Sequence, residues 1–324
     1  MSEEQPPVMS DHHRRGAEDM GNLERRTLGR TGLSVTTLGF GAMDLGGPPA
    51  ANEISDDEAG NVLNAVLDAG INFIDTAVCY GSSEARIGRS ISHRRNEYVL
   101  ATKCGCLPGK PMGTPHVHTA ANIRAGVEHS LRTVRTDHID IAQFHHSLTR
   151  NAWEAEGAMA ELVKMKQQGK LRFIGVSGIL PNLQEQIDSG LFDVFQVPYS
   201  AVQREHEAVI AKASAAGGGI IIRGGVARGA PTNWDKRYYM LTGEQMRNRW
   251  DESGLDEILD GMSRIEFMVR FTISLPELDT TIIGTKNLDH LRENLAAAQK
   301  GPLPEELISD AKRRLARAGS QPVG

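Results

Sequence analysis

The stretch Ser55-Asp-Asp-Glu-Ala-Gly-Asn-Val-Leu-Asn-Ala-Val-Leu-Asp-Ala-Gly70-Ile-Asn-Phe-Ile-Asp75 holds one helix, its stop and one strand. Ser55 and Glu58 stand three residues apart, the spacing of a capping box in which each side chain satisfies the other's free backbone amide. Val62, Leu63, Val66 and Leu67 then recur at helical spacing as one apolar stripe. Gly70 stops the helix, because glycine enters the left-handed conformation freely. Residues 71–75 follow as a strand.

The same unit recurs along the chain. Strands are expected at 36–41, 71–75, 98–103, 138–145, 172–177, 193–199, 219–223 and 280–284. Between them helices are expected at 84–93, 120–133, 153–168, 183–188, 205–216 and 255–274. Alternating strands and helices pair in parallel, and eight such units in roughly 250 residues match a closed barrel. The fold class is therefore α/β, a (β/α)8 TIM barrel. A hairpin over residues 25–35, turning at Gly29-Arg-Thr-Gly32, precedes it, and an extra helix at 304–318 packs outside it. An open doubly wound sheet is the alternative. It is weakened because Gly39-Phe-Gly-Ala-Met-Asp44 breaks the dinucleotide pattern GxGxxG at its last glycine, and a Walker-type GxxxxGK[ST] is absent.

In these terms residues 1–24 form a flexible polar tail, 25–319 the barrel domain and 320–324 a short C-terminal tail. The 324 residues carry a formal net charge of −5 with no long basic block, which argues against nucleic acid as a partner. No run approaches the roughly 20 apolar residues of a membrane span, and the first residues lack the apolar core of a signal peptide. Three cysteines, Cys79, Cys104 and Cys106, point to a reducing compartment, read here as the cytoplasm. The Cys104-Gly-Cys106 pair has no evident His or Cys completion, so no metal is expected. No heptad or interface stripe stands out to indicate an oligomer.

Most expected strands end on a residue with chemistry: Asp75, Lys103, His145, Ser177, Gln196 through Tyr199, Arg223 and Gly284. In a parallel barrel those ends share one face, where barrel enzymes keep their sites. Asp75, Tyr80, Lys103 and His145 then suggest a proton-donating set. A tyrosine is a weak acid at neutral pH, and a nearby ammonium such as Lys103 favours its phenolate. Asp75 would keep a buried lysine charged, and His145 could orient a carbonyl oxygen beside the tyrosine hydroxyl. Singly, each has a plainer reading: an Asp or Lys in a structural ion pair, a His as a satisfied hydrogen-bonder, Tyr80 beside Gly81 as a packed loop aromatic. On one barrel face they favour chemistry.

These residues also carry a resemblance. Asp75-Thr-Ala-Val-Cys-Tyr80-Gly-Ser-Ser-Glu84, Ile87-Gly88 and Ala101-Thr-Lys103 resemble the signature of the aldo-keto reductase superfamily, and Asp137-His-Ile-Asp140-Ile-Ala-Gln-Phe-His145 resembles its fourth-strand motif. Gly169-Lys170, Gly175-Val-Ser177, Gln196 with Tyr199, and the opening Arg26-Thr-Leu-Gly-Arg-Thr-Gly-Leu-Ser34 also fall where that family places them. The resemblance spans about residues 25–319.

It implies a nicotinamide cofactor and a catalytic tetrad of Asp75, Tyr80, Lys103 and His145. Ser177 and Gln196 would bind the carboxamide, and residues 224–229, including Gly224, Val226 and Arg228, would line the pyrophosphate. Ile283-Gly284-Thr285-Lys286, Glu293 and Asn294 would hold the adenosine end. Lys286, Thr285 and His290 would meet a 2′-phosphate and select NADPH; Lys286 and His290 could equally be solvated helix-start residues. Gly41, Ala42, Met43, Tyr199 and Arg223 complete the implied cofactor set, with Asp75 at its reactive end. Asp44, His146 and Trp234 are the candidate substrate residues.

Three positions depart from common family usage. Gly178 stands where an asparagine is frequent, Arg223 where many members stack an aromatic ring on the nicotinamide, and His290 where an arginine often grips the 2′-phosphate. The last leaves NADH use open.

The function implied is NADPH-dependent reversible reduction of an aldehyde or ketone, with a small carbonyl or sugar-like molecule as substrate. A regulatory NADPH-binding subunit is the alternative. A Schiff-base barrel using Lys103 is a third reading, disfavoured because Asp75 should keep that lysine protonated. Specificity would lie in loops 44–52, 105–118 and 230–254. In the last, Trp234, Tyr238, Tyr239 and Trp250 could form an aromatic wall or anchor the loop.

Overall fold

The computed structural model describes residues 23–48, 51–227, 229, 237–238 and 241–323. A hairpin of β1 (Arg25–Thr27) and β2 (Ser34–Thr36) leads into the first barrel strand, β3 (Leu38–Gly41). β4 (Phe73–Asp75), β5 (Val99–Cys104), β6 (Ile139–Phe144), β7 (Leu171–Ser177), β8 (Val194–Pro198) and β9 (Gly219–Arg223) follow. A two-strand ribbon, β10 (Arg237–Tyr238) with β11 (Leu241–Thr242), precedes β12 (Thr280–Ile283), which pairs in parallel with both β9 and β3. The eight strands thus close a parallel barrel, as the alternation in sequence implies.

Strand alternation divides the side chains between two cores. Phe73, Val99, Ala101, Ile141, Val194 and Ile221 fill the barrel with Phe173 and Ile282, and the hairpin residues Leu28, Leu33 and Val35 join them from below. The hairpin therefore plugs the N-terminal end of the barrel. The Gly29 amide donates to Asp279 Oδ2 (3.1 Å), which also accepts from the Ile220 amide (2.8 Å). The alternate set, including Phe40, Ile74, Leu100, Phe144, Val176 and Ile222, faces outward into one core with the helical stripe Val62, Leu63, Val66 and Leu67. Further along the same inward rows, past the apolar plug, lie Asp75, Lys103, Gln143, Ser177, Gln196 and Arg223.

The helices are α1 (Asp56–Asp68), α2 (Ser83–Ser90), α3 (Ala120–Val134), α4 (Arg150–Glu154), α5 (Ala158–Gln167), α6 (Asn182–Asp188), α7 (Glu207–Ala215), α8 (Gly243–Ser253), α9 (Arg264–Ile273), α10 (Leu288–Gln299) and α11 (Glu305–Arg317). The capping box at Ser55 and Glu58 is formed as expected. α2 and α3 cross so closely that a Cβ on Gly88 would sit 2.2 Å from the Thr133 carbonyl oxygen. α11 packs on α8 with Ala311 and Leu315 buried, outside the barrel.

Four expected elements are corrected. The helix at 84–93 stops at Ser90 and passes into a 3-10 turn, Ser92–Glu97. The helix at 153–168 is divided by Gly157, whose φ of 72° no helix interior accommodates. The helix at 255–274 is a short turn, Leu255–Ile258, separated from α9 by Asp260 and Gly261 at φ 46° and 79°, after which Ser263 caps the new start. The expected loop at 230–254 contains α8, opened by a capping box of Thr242 and Gln245. In α8 Trp250 is fully buried, donates to Asp256 Oδ1 (3.1 Å) and packs edge-on against Phe267, so it anchors its segment. Trp234 and Tyr239 lie outside the described residues. Two residues assigned to the tails are packed: Leu23 is buried, and Ser320 donates to the Ala201 carbonyl (2.7 Å).

Candidate active site

Asp75 ends β4 and Lys103 sits one residue before the end of β5, so both project from the top of the barrel interior. They form a salt bridge with both side chains almost wholly buried. Lys103 Nζ also donates to the Thr76 carbonyl (2.8 Å). The other carboxylate oxygen of Asp75 accepts from Gln143 Nε2 (3.0 Å) and Gln196 Nε2 (2.8 Å). A buried charge pair is tolerable only when its remaining lone pairs are filled, and the two amides do that here. Ser177 Oγ donates to Gln196 Oε1 (3.1 Å) and so fixes which way that amide faces.

Tyr80 rides on the loop after β4, which is stapled to the barrel. Ser83 Oγ donates to the Ala42 carbonyl (2.8 Å) and the Ser82 amide to the Gly46 carbonyl (2.9 Å). Gly81, at φ 53°, lets the loop approach so closely that a Cβ there would lie 2.5 Å from Gly46 O. Beneath it the buried carboxyl of Glu84 accepts from Thr102 Oγ1 and Ser130 Oγ (both 2.7 Å), and burial raises its pKa. The Lys103 ammonium lies 4.8 Å from the centroid of the Tyr80 ring. Tyr80 Oη and His145 Nε2 stand 3.4 Å apart, with the rings in edge contact. Burial, with the Lys103 charge adding to it, pushes the His145 pKa down to about 4, so the imidazole is neutral at pH 7. The four residues picked from sequence therefore form one cluster.

A cleft of about 770 Å³ opens from Asp75 and Tyr80. Gly41, Met43 and Asp44 form one wall; Gln196, Arg223, Gly224 and Val226 form another. It ends at Gly284, Thr285, Lys286, His290, Glu293 and Asn294, around the start of α10, which Asn287 caps. Gly284 lies against Gly41, where a Cβ would be 2.7 Å from the Gly41 carbonyl oxygen. Lys286 Nζ donates to the Glu53 carbonyl (2.7 Å), joining the segment that holds Ala51 and Asn52 to the rim. The cleft runs from Asp75 and Tyr80 to a helix N-terminus with a cation beside it, features that fit a dinucleotide.

Several expected residues take other places. Tyr199 is buried behind β8 and stacks on Phe271 (6.2 Å between centroids) without lining the cleft. Ala42 is fully buried and contributes its carbonyl to the Ser83 staple. Ser177 Oγ is bonded to Gln196, and the residue does not line the cleft. His146 is exposed beside His116, 5.0 Å between ring centroids, and does not line the cleft. Arg228 and Trp234 lie outside the described residues. Lys103 is only 1% exposed and held by Asp75 and the Thr76 carbonyl, which weighs further against the Schiff-base reading.

Sequence reasoning assigned no role to Gln143, although its place two residues before His145 on an inward row is a signal for it. It also missed a thiol-imidazole cluster. Cys104 and Cys106 do not act together: Cys104 Sγ turns to the Gln143 carbonyl (3.3 Å), whereas Cys106 Sγ meets Cys79 Sγ (3.0 Å) and His145 Nδ1 (3.0 Å). The sequence reading weighed only Cys104 with Cys106 as a metal pair; the fold instead gathers Cys79, Cys106, His116 and His145 from separate loops.

Among the described residues no helix is long and apolar enough to cross a membrane. The model of the Aldo/keto reductase family matches residues 37–314. An uncharacterized oxidoreductase of Bacillus subtilis, YqkF, is 28% identical, the match covering 88% of this chain and 94% of that one. The L-galactose dehydrogenase of Arabidopsis thaliana is 26% identical over 86% of this chain and 89% of its own. The holo form of the aldo-keto reductase AKR11C1 from Bacillus halodurans superposes with a TM-score of 0.78 at 26% identity, covering 90% of this chain and 96% of that one. Because the family match runs from the first barrel strand into the last helix, this chain belongs to the aldo/keto reductase family and is an NAD(P)H-dependent oxidoreductase.

Proposed function

We propose that the chain reduces an aldehyde or ketone with NADPH, using Tyr80 as the proton donor. The observation that carries this is the convergence of Tyr80 Oη and His145 Nε2 at the inner end of the cleft, with the Lys103 ammonium behind the phenol ring. When bound, the nicotinamide would supply the hydride. Tyr80 would give its proton to the oxygen that becomes the alcohol, and the Lys103 charge would stabilise the phenolate left behind. His145, being neutral, would donate or accept a hydrogen bond at that oxygen without adding charge. Asp75 would hold Lys103 in place. Gln196 and Arg223, in one wall of the cleft, would face the nicotinamide end, and Lys286 with His290 would face the 2′-phosphate.

Replacement of Tyr80 by Phe tests the assignment. Turnover on a panel of carbonyl compounds should fall by about 10²- to 10⁴-fold, the worth of a positioned general acid, while NADPH binding followed by nicotinamide fluorescence stays near wild type. Full turnover in Y80F would remove the proton-donor role. Absence of turnover in the wild type, with tight NADPH binding, would favour the regulatory-subunit alternative.

A further inference from the structure

Cys79, Cys106, His116 and His145 offer two thiols and two imidazoles whose ligating atoms all lie within 4.8 Å of one another. They come from three separate loops, after β4, β5 and β6. Cys106 Sγ stands 3.0 Å from both Cys79 Sγ and His145 Nδ1, and Cys79 Sγ lies 3.4 Å from the same nitrogen. Nε2 of His116 is buried with no hydrogen-bond partner. The loop that brings Cys106 and His116 together is clamped from within: Asn122 Nδ2 donates to the carbonyls of Gly105 (3.3 Å), Cys106 (3.3 Å) and Val117 (2.8 Å), and the Val117 amide to Gly105 O (2.8 Å). Both thiols are buried.

We propose that these four residues bind a single thiophilic divalent ion, with Zn²⁺ as the probe. Two thiolates and two imidazoles are a tetrahedral zinc set, and the Zn–S and Zn–N distances place ligand atoms roughly 3.3 to 3.8 Å apart around the ion. The sulfurs need to part by less than 1 Å, roughly, which side-chain rotation supplies. Binding releases two thiol protons and leaves a neutral centre. The ion has a consequence for catalysis that rests on the function proposed above. His145 would ligate through Nδ1, so Nε2 must carry the ring proton, and it would present a fixed N–H donor beside Tyr80 Oη. Cys79, Cys106 and His116 are then positioning residues that act through His145.

The test is cobalt spectroscopy on the full chain, purified under reducing conditions and freed of metal by dialysis against a chelator. One equivalent of Co²⁺ should produce thiolate-to-cobalt charge-transfer and tetrahedral ligand-field bands, and one equivalent of Zn²⁺ should abolish them. C106S and H116Q should each weaken binding by at least about tenfold and change the band pattern, whereas C104S should bind as wild type does. Circular dichroism and the melting temperature of each metal-free variant separate lost ligation from lost fold. Wild-type protein that shows no bands with its thiols reduced overturns the proposal, whatever the turnover assay says. Loss of two thiols to a Cys79–Cys106 disulfide on air oxidation, with no metal uptake by the reduced protein, overturns it in favour of a redox pair.

Discussion

Lys103→Met takes the cation out of the most completely buried ion pair in the described residues and leaves its shape nearly intact. The side chains of Lys103 and Asp75 are 1% and 3% exposed, so little water can replace the missing ammonium. Asp75 keeps two amide donors, Gln143 and Gln196, and loses the charged one, while the Thr76 carbonyl loses its only side-chain partner. Breaking a buried pair from one side costs about 3–5 kcal/mol, and the unpaired carbonyl adds roughly 1 kcal/mol. Lys103→Met should therefore destabilise the fold by about 4–6 kcal/mol at pH 7. Asp75→Asn should cost a comparable amount, because it strands the ammonium. The double variant holds no buried charge, and its cost should fall to less than half the sum of the two singles, a favourable coupling of several kcal/mol. Urea unfolding followed by tryptophan fluorescence measures this directly, since Trp153 and Trp250 are both fully buried. Turnover provides the second axis. Because the ammonium backs the Tyr80 ring, all three variants should lose about 10² or more in kcat, and the double should regain stability without regaining rate. A Lys103→Met cost below about 1 kcal/mol, additive costs in the double, or recovery of rate along with stability would each refute the reasoning.

Three other predictions rest on separate parts of the molecule. His206 is wholly buried, accepts from the Leu180 amide through Nε2 (3.2 Å), and has its pKa pushed down to about 4 by burial, with Arg223 adding to it. The unfolded chain therefore takes up this proton first, so stability should fall as pH drops from 6.5 to 4, by up to about 3 kcal/mol from this group. H206Q should flatten that part of the profile relative to wild type in paired urea melts at pH 7 and pH 4.5, and an unchanged slope would contradict the assignment. Gly88→Ala places a Cβ against the Thr133 backbone oxygen and should cost about 1–3 kcal/mol by forcing α2 from α3; a thermal melt within a degree of wild type would show that the crossing is looser than its geometry. Lys286→Met should weaken NADPH roughly tenfold, the worth of one charged hydrogen bond, and leave NADH unchanged; equal losses for both cofactors would mean that Lys286 holds the Glu53 segment and not the 2′-phosphate.

Legibility in this sequence follows the distance over which each signal acts. The barrel was readable because every unit carries its own punctuation: the Ser55 and Glu58 box, the stripe from Val62 to Leu67, the stop at Gly70. Where a second signal lay inside a long apolar pattern, the pattern overrode it. Gly157 and the Asp260-Gly261 pair both take left-handed conformations that end a helix, and Thr242-Gly-Glu-Gln245 opens one inside what reads as loop. Asp75 and Lys103 of the tetrad were legible for a different reason, whereas Tyr80 and His145 lie in the loops beyond β4 and β6 and rested on the motif. Strand alternation with parallel register sends Asp75, Lys103, Gln196 and Arg223 to one end of one interior, so the strand boundaries alone convey which residues meet.

The thiol-imidazole cluster shows where that logic stops. Alternation puts Cys104 on the outward row, bonded to Gln143 O, while Cys106 falls beyond the strand in a loop whose path depends on Asn122. Adjacent cysteines thus part, and Cys106 instead meets Cys79, 27 residues before it, and His145, 39 residues after it. No local pattern encodes that meeting, because loop conformation is set by tertiary contacts. Yet the barrel constrains it strongly: loops after β4, β5 and β6 rise from neighbouring strands, so their first residues have few places to go. His145 joins the two halves, with Nε2 turned to Tyr80 and Nδ1 to the sulfurs. Whatever fills or leaves that sulfur site therefore acts on the same ring that faces Tyr80 Oη.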